Sequence, residues 1–261
     1  MNFPFPAKKV PELRIIQITD THLMDAPEQL LYGLNTCESL RKVLKRALAD
    51  FPDTDLVLFT GDISQTGHDA SYRIFQGIIE DLKLPVLCLP GNHDNPLLLN
   101  RLIPSSPMES AVFMQQENFS IVLLNSCVEQ ANYGDLDKNT LQQLQQFLQT
   151  SRSHFHIFAI HHTPALTNSK WLDELGLKNQ HQLLSLIMQS NTPSLILSGH
   201  IHQALDLSMN QLRVLATPST CHQFLAQSEH FQRHEPSQAA YRYIKVTLPN
   251  TIHTSVQSVE I

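Results

Sequence analysis

The chain has 261 residues, enough to bury the core of one sizeable α/β domain, and its 42% hydrophobic and 16% charged content excludes disorder and fibrous repeats. A formal charge of −6 argues against a body that holds nucleic acid through its phosphates, because that needs clustered lysine and arginine. Apolar runs such as Leu56 to Phe59 and Ile157 to Ile160 are strand-sized and far short of a membrane span. Met1 to Val10 lacks the apolar stretch and small-residue cleavage site of a signal peptide. Cys37, Cys88, Cys127 and Cys221 form neither a Cys-x-x-Cys pair nor a zinc-finger spacing, so reduced thiols and a cytoplasmic location are expected.

Leu13 to Thr19 is a short β-rich run that halts at Asp20, the pattern of a strand delivering a carboxylate at its end. Thr36 is placed to cap a helix through about Ala49, with Leu40, Val43, Leu44, Ala47 and Leu48 at helical spacing. Asp55 to Thr60 is again strand-like and precedes Gly61-Asp62, and a helix from about Asp69 to Asp81 leads to the strand Val86 to Leu89. That strand ends in Pro90-Gly91-Asn92-His93-Asp94. Further on, Phe119 to Leu124 reads as strand, Asn139 to Gln149 as helix, and Phe155 to Ile160 as strand before His161-His162. A helix from about Asn179 to Gln189 leads to Leu195-Ile196-Leu197 and then Ser198-Gly199-His200-Ile201-His202. The tail carries short runs at Leu212 to Ala216, Tyr241 to Leu248 and Thr251 to Val259, expected as antiparallel strands closing a second sheet. With no repeat, linker or composition break, residues 1–261 are expected to form one domain, a four-layer α/β/β/α sandwich with its site on loops at the carboxyl ends of strands.

Fourteen histidines matter only where chemistry can use them. Asp20 and His22, one residue apart, share a side of an extended segment. Taken singly, Asp-x-His and Gly-Asp are weak signals and ordinary turn chemistry. Gly91-Asn92-His93-Asp94 is stronger, and Gly199-His200-Ile201-His202 sets two imidazoles on one side. The weight lies in the conjunction: five segments, each at the end of an expected strand, each offering imidazole, carboxylate or amide oxygen to a divalent metal. Seven candidate ligands (Asp20, His22, Asp62, Asn92, His161, His200 and His202) are too many for one zinc but suit two ions sharing a carboxylate. Two carboxylates and a hydroxide leave such a pair with a positive charge that attracts a phosphodiester, and the pair can generate hydroxide near neutral pH for in-line attack.

In these elements the chain resembles the calcineurin-like metallophosphoesterases, whose signature runs Asp-x-His, Gly-Asp, Gly-Asn-His-Asp/Glu, His, Gly-His-x-His. Every element is present in order over residues 20 to 202. The resemblance implies Asp20, His22, Asp62 and His202 on one metal and Asp62, Asn92, His161 and His200 on the other, with Asp62 as the bridge. His161 is preferred to His162 also by position, as the residue that ends the strand. Within that superfamily the chain is similar to bacterial class III 3',5'-cyclic AMP phosphodiesterases, through His161-His162-x-Pro164, Trp171-Leu172-Asp173, His200-Ile201-His202-Gln203 with Leu205-Asp206-Leu207, and Leu215 to Cys221. This implies hydrolysis of cyclic AMP to 5'-AMP, with iron or manganese as the metal pair. Other small phosphodiesters, glycerophosphodiesters among them, use the same metals and differ only in the substrate wall.

Expulsion of the ribose 3'-oxygen benefits from a proton, and His93, beside Asn92 but not needed as a ligand, is the candidate acid. Phosphoryl oxygens are expected against His22, Asp62, Asn92, His93 and His202. Asp94 is expected to cap the following helix or hold a neighbouring ligand, and Trp171 to anchor a loop rather than stack on a base. His222 falls among the remaining histidines, read as surface or core.

Overall fold

The computed structural model describes residues 11–261 except 105, 109, 117 and 237, so the reading of Met1 to Val10 lies outside the described residues. In chain order, β1 (Glu12–Ile18) is followed by a two-strand hairpin of β2 (Leu30–Leu31) and β3 (Leu34–Asn35), then α1 (Thr36–Asp50), β4 (Leu56–Thr60), α2 (Asp69–Ile79), β5 (Val86–Leu89) and α3 (Pro96–Leu102). The second half holds β6 (Ala111–Gln115), β7 (Phe119–Leu124), α4 (Lys138–Thr150), β8 (Phe155–Ile160), α5 (Lys170–Glu174), α6 (Gln180–Gln189) and β9 (Ser194–Ser198). Four strands finish the chain: β10 (Leu205–Met209), β11 (Leu212–Ala216), β12 (Ala239–Thr247) and β13 (Thr251–Val259).

Side-chain alternation assembles these into layers. In β4, Leu56 and Leu58 face one slab of core while Val57 and Phe59 face another. The Leu56 slab lies between two sheets, ordered β13-β12-β1-β4-β5 and β10-β11-β9-β8-β7-β6, and it joins Ile15 and Leu89 to Ile121, Ala159 and Leu197. The Phe59 slab is closed by Leu40 and Val43 of α1 and Phe75 of α2. Phe158, Ile160 and Ile196 on the far side of the second sheet pack against Leu144 of α4 and Leu183 and Ile187 of α6. These are the four layers that the sequence predicts. β1, β4 and β5 run parallel, as do β7, β8, β9 and β11, and both faces of each set are covered, so these strands are almost wholly buried.

Two expectations are corrected. The helix α1 is capped by Asn35, not Thr36: Asn35 closes β3 in an extended conformation, and its side chain accepts from the Glu38 N–H at 2.9 Å, while Thr36 is already helical. The tail does not close one sheet. β11 joins the second sheet beside β9, in parallel, whereas β12 and β13 return to the first sheet, with β12 antiparallel to β1. The open flank of β1 accounts for this, since an unpaired strand edge is covered whenever chain is available to pair with it. No helix among the described residues is long and apolar enough to cross a membrane.

Candidate metal centre

All five nominated segments leave the carboxyl ends of β1, β4, β5, β8 and β9, and they meet where the two sheets open onto one edge. Backbone bonds stitch the loops together: Asp20 N–H to Gly61 carbonyl (3.0 Å), His22 N–H to Asp62 carbonyl (2.9 Å) and Gly199 N–H to His161 carbonyl (3.1 Å). Asp20, His22, Asp62, His200 and His202 all have positive φ, between 46° and 69°. Left-handed backbone costs a non-glycine residue roughly 1–2 kcal/mol, so five such residues persist only because the surrounding structure over-determines them. Their side chains converge with that of His161 on one small region.

With neutral imidazoles the polar atoms in that region are acceptors facing acceptors. His161 donates from Nδ1 to the Thr60 carbonyl (2.8 Å), which turns Nε2 toward Asn92 Oδ1 at 3.2 Å and Asp62 Oδ2 at 3.5 Å, where the neutral ring offers a lone pair. His202 likewise donates from Nδ1 to the His222 carbonyl, and its Nε2 faces Asp20 Oδ1 at 3.3 Å and His22 Nε2 at 3.2 Å. Lone pairs converging in this way repel unless a cation lies between them, and carbonyl bonds on the far ring nitrogen are how ligating histidines are oriented. His22 Nδ1 and His200 Nε2 are buried without a hydrogen-bond partner. Asp20, His22 and His202 form one group of atoms close enough to hold an ion, and Asp20, Asp62 and His161 another. The residues present therefore fit two metal ions.

Electrostatics agree. Burial lowers His22 and His200 to about 3, so both are neutral imidazoles with lone pairs to give. Burial alone would lower His161 too, yet the Asp62 carboxylate beside it carries it up to about 9. Burial opposes the charge on Asp62, and the facing His161 outweighs it, holding the carboxyl well below its ordinary range. In the absence of a cation, a proton on His161 is what quiets this cluster; metal binding displaces that proton.

The neighbouring predicted residues fall in several places. His93 is half-buried at the rim, its backbone N–H donating to Asp62 Oδ1 (2.9 Å), its Nδ1 3.1 Å from the Gln65 carbonyl and its ring edge-on to His22 at 5.1 Å. Asp94 caps nothing, since Asn95 caps α3; it accepts from the N–H groups of Ile63, Ser64 and Gly91 and from the Tyr72 hydroxyl, locking the Asp62 loop to the Asn92 loop. His162 is wholly buried, with Nδ1 2.8 Å from Ser126 Oγ and its ring 4.6 Å from that of His200. Trp171 anchors a loop: its indole N–H donates to Ser228 Oγ (3.0 Å), and Phe224 and Phe231 meet its ring. Thr217 is buried in a network with Gln17 and Arg242, and Ser219 Oγ donates to the Asp20 carbonyl. Two residues without a sequence signal complete the site: His222, whose carbonyl orients His202, and Phe224, whose ring stacks on His202 at 4.0 Å. Neither has a spacing signal, because a loop rather than an element brings them there.

Comparison with known proteins matches these observations. The chain is 34% identical over 252 residues to a 3',5'-cyclic-nucleotide phosphodiesterase of Nostoc sp., covering 97% of this chain and 94% of that one. It is 32% identical to the 3',5'-cyclic adenosine monophosphate phosphodiesterase CpdA of Haemophilus influenzae (99% and 94% covered) and 35% identical to CpdA of Escherichia coli K12 (84% and 80% covered). A dimetal phosphatase from Danio rerio shares the fold, with a TM-score of 0.64 at 16% identity over 93% of this chain and 98% of that one. With the calcineurin-like phosphoesterase model matching residues 13–204, the chain belongs to the calcineurin-like phosphoesterase family.

Proposed function

We propose that the protein hydrolyses 3',5'-cyclic AMP to 5'-AMP at a dinuclear centre. Asp20, His22, Asp62 and His202 hold one divalent ion, and Asp62, Asn92, His161 and His200 hold the other. The observation that carries this reading is the position of Asp62 Oδ2, 3.8 Å from His22 Nε2 and 3.5 Å from His161 Nε2. One carboxylate is thus within reach of both imidazole sets, as a bridge requires. Iron or manganese suits the mixed imidazole and carboxylate donors. When bound, the two ions supply a hydroxide nucleophile near neutral pH and offset phosphoryl charge. The relatives named for cyclic nucleotides support the substrate.

The chain's own residues supply the remainder. Four neutral imidazoles and Asn92, with only two carboxylates, keep the centre positive enough for a monoanionic diester. His22, Asp62, Asn92, His93 and His202 line a cleft of about 210 Å³, a space for a small diester rather than a polymer. With the Nδ1–H of His93 given to the Gln65 carbonyl, Nε2 is the nitrogen left for the substrate, and the acid is the doubly protonated ring, whose Nε2–H passes to the departing 3'-oxygen and leaves a neutral imidazole still bonded through Nδ1. The four free thiols and the negative charge support a cytoplasmic enzyme of small molecules rather than nucleic acid.

Metal-reconstituted protein assayed on cyclic mononucleotides, nucleoside monophosphates and glycerophosphodiesters is expected to turn over cyclic AMP, to yield 5'-AMP, and to release no further phosphate. Turnover of glycerophosphodiesters alone would overturn the substrate, and accumulation of 3'-AMP would reverse the binding orientation.

A further inference from the structure

Beside the metal cleft lies a second hollow of about 120 Å³ that shares His22, His93, His202, Phe224 and Phe231 with it and is lined further by Tyr32, Arg233 and the buried Cys221. Its rim is unusually apolar for an exposed surface. Tyr32 is 65% and Phe231 55% exposed, with Leu30 close by in sequence at 57%. Tyr32 is also held there at a cost. It is the first loop residue of the β2–β3 hairpin, a two-residue turn in which Tyr32 (φ 49°) and Gly33 (φ 85°) are both left-handed, a position that favours asparagine, aspartate or glycine. A bulky ring kept in strained backbone at the mouth of a pocket points to use rather than to folding.

The neighbours of the ring are specific. Arg233 lies over the Tyr32 face, 4.6 Å from its centroid, and His222 meets its edge at 5.6 Å. His222 in turn donates from Nε2 to the Leu31 carbonyl (2.9 Å), while its own carbonyl accepts from His202. The hairpin is therefore tied, through one residue, to a ring of the metal cluster. A phosphoryl group seated at that cluster can turn its organic substituent to solvent, toward Trp171 and Leu175 within the metal cleft, or into this hollow, and the hollow is the one that the exposed ring of Tyr32 lines.

We infer that the hollow is the nucleoside subsite, where Tyr32, with Phe231 across the rim, stacks on the base of the cyclic nucleotide. The inference rests on the proposed cyclic nucleotide phosphodiesterase activity. Aromatic faces accept any base, so the subsite supplies affinity for a planar ring more than choice among rings.

Metal-loaded protein tests it by calorimetric titration with 5'-AMP and with ribose 5-phosphate, alongside cyclic AMP kinetics. Tyr32→Ala is expected to weaken 5'-AMP about 10- to 100-fold and leave ribose 5-phosphate unchanged, with the loss on cyclic AMP appearing in KM rather than kcat. Tyr32→Phe should behave as wild type, and Phe231→Ala should show a loss of the same kind. Equal weakening of both ligands by Tyr32→Ala, or no weakening of 5'-AMP by either alanine variant, overturns the subsite even while the parent hydrolyses cyclic AMP. A parent that ignores cyclic AMP but binds 5'-AMP in a Tyr32-dependent way would overturn the proposed activity instead and leave the subsite standing.

Discussion

His93 and His161 belong to the same crowd of imidazoles, and their surroundings separate their work. His161 is wholly buried, with its Nε2 against Asn92 and Asp62, whereas His93 stands at the rim with one nitrogen spent on a backbone carbonyl. His93→Ala should therefore keep both metals while losing ~10² to 10⁴ in rate on cyclic AMP, the usual worth of a positioned acid. The loss should depend on the leaving group, because an alkoxide needs the proton and a nitrophenolate does not. The variant is expected to be far less impaired on bis-nitrophenyl phosphate, and metal content measured on the same sample separates this from simple loss of an ion. Equal losses on both substrates with both metals bound would show that His93 holds the phosphoryl group instead of assisting departure.

At the scale of elements, the site depends on how closely strand ends approach one another, and glycine sets that distance. A Cβ on Gly199, at the end of β9, would run into Thr19 Oγ1, lie 2.7 Å from Asp20 Oδ2 and 2.9 Å from the Thr60 carbonyl. The first sheet cannot yield there without moving a proposed ligand, so Gly199→Ala should cost about 1–3 kcal/mol and lower metal occupancy together. A melting temperature and metal content equal to the parent's would refute that coupling. The sequence made this edge legible in good part: β5, β7, β8, β11 and β13 stand where apolar runs between turn residues placed them, and Asp20, Asp62, Asn92, His161 and His200-Ile201-His202 follow strands as expected. What it hid is non-local. β6 and β10 are the short edge strands of the second sheet; the alternation of Leu205 to Met209 and the apolar run Ala111 to Met114 fit strands, but neither run states that β11 or β7 is its partner. Tyr32, Phe231 and Arg233 come together only through hairpin and loop geometry, which no spacing encodes. β12 pairs with β1 rather than closing the second sheet, a destination that a strand's run of residues does not state.

In the whole molecule, two sheets must stay in fixed register for two half-sites to meet, and buried polar groups clamp them at the ligand end. Gln17 of the first sheet donates to the Ser198 carbonyl of the second (2.9 Å), Thr217 Oγ1 returns a bond to Gln17, and buried Arg242 donates to Thr217 Oγ1 and to the Ala216 carbonyl. The opposite side of the second sheet holds a liability of the same design. His156, in β8, is buried beneath Phe147 and Phe158 with Ser120 Oγ, 2.6 Å away, as its side-chain partner among the described residues, and burial lowers it to about 4. Its folded value lies below the ordinary 6.5, so below pH 6.5 the unfolded chain takes up a proton that the fold refuses. Stability is then lost progressively until about pH 4, at about 1.4 kcal/mol per pH unit and about 3 kcal/mol in all. His156→Gln keeps a polar partner for Ser120 and cannot titrate. Urea midpoints of metal-free protein from pH 7 to 4 should show the parent losing that much more than the variant. A stability difference that stays constant over this range would mean that His156 gains its proton inside the fold, and that the second sheet has room for a charge where its packing shows none.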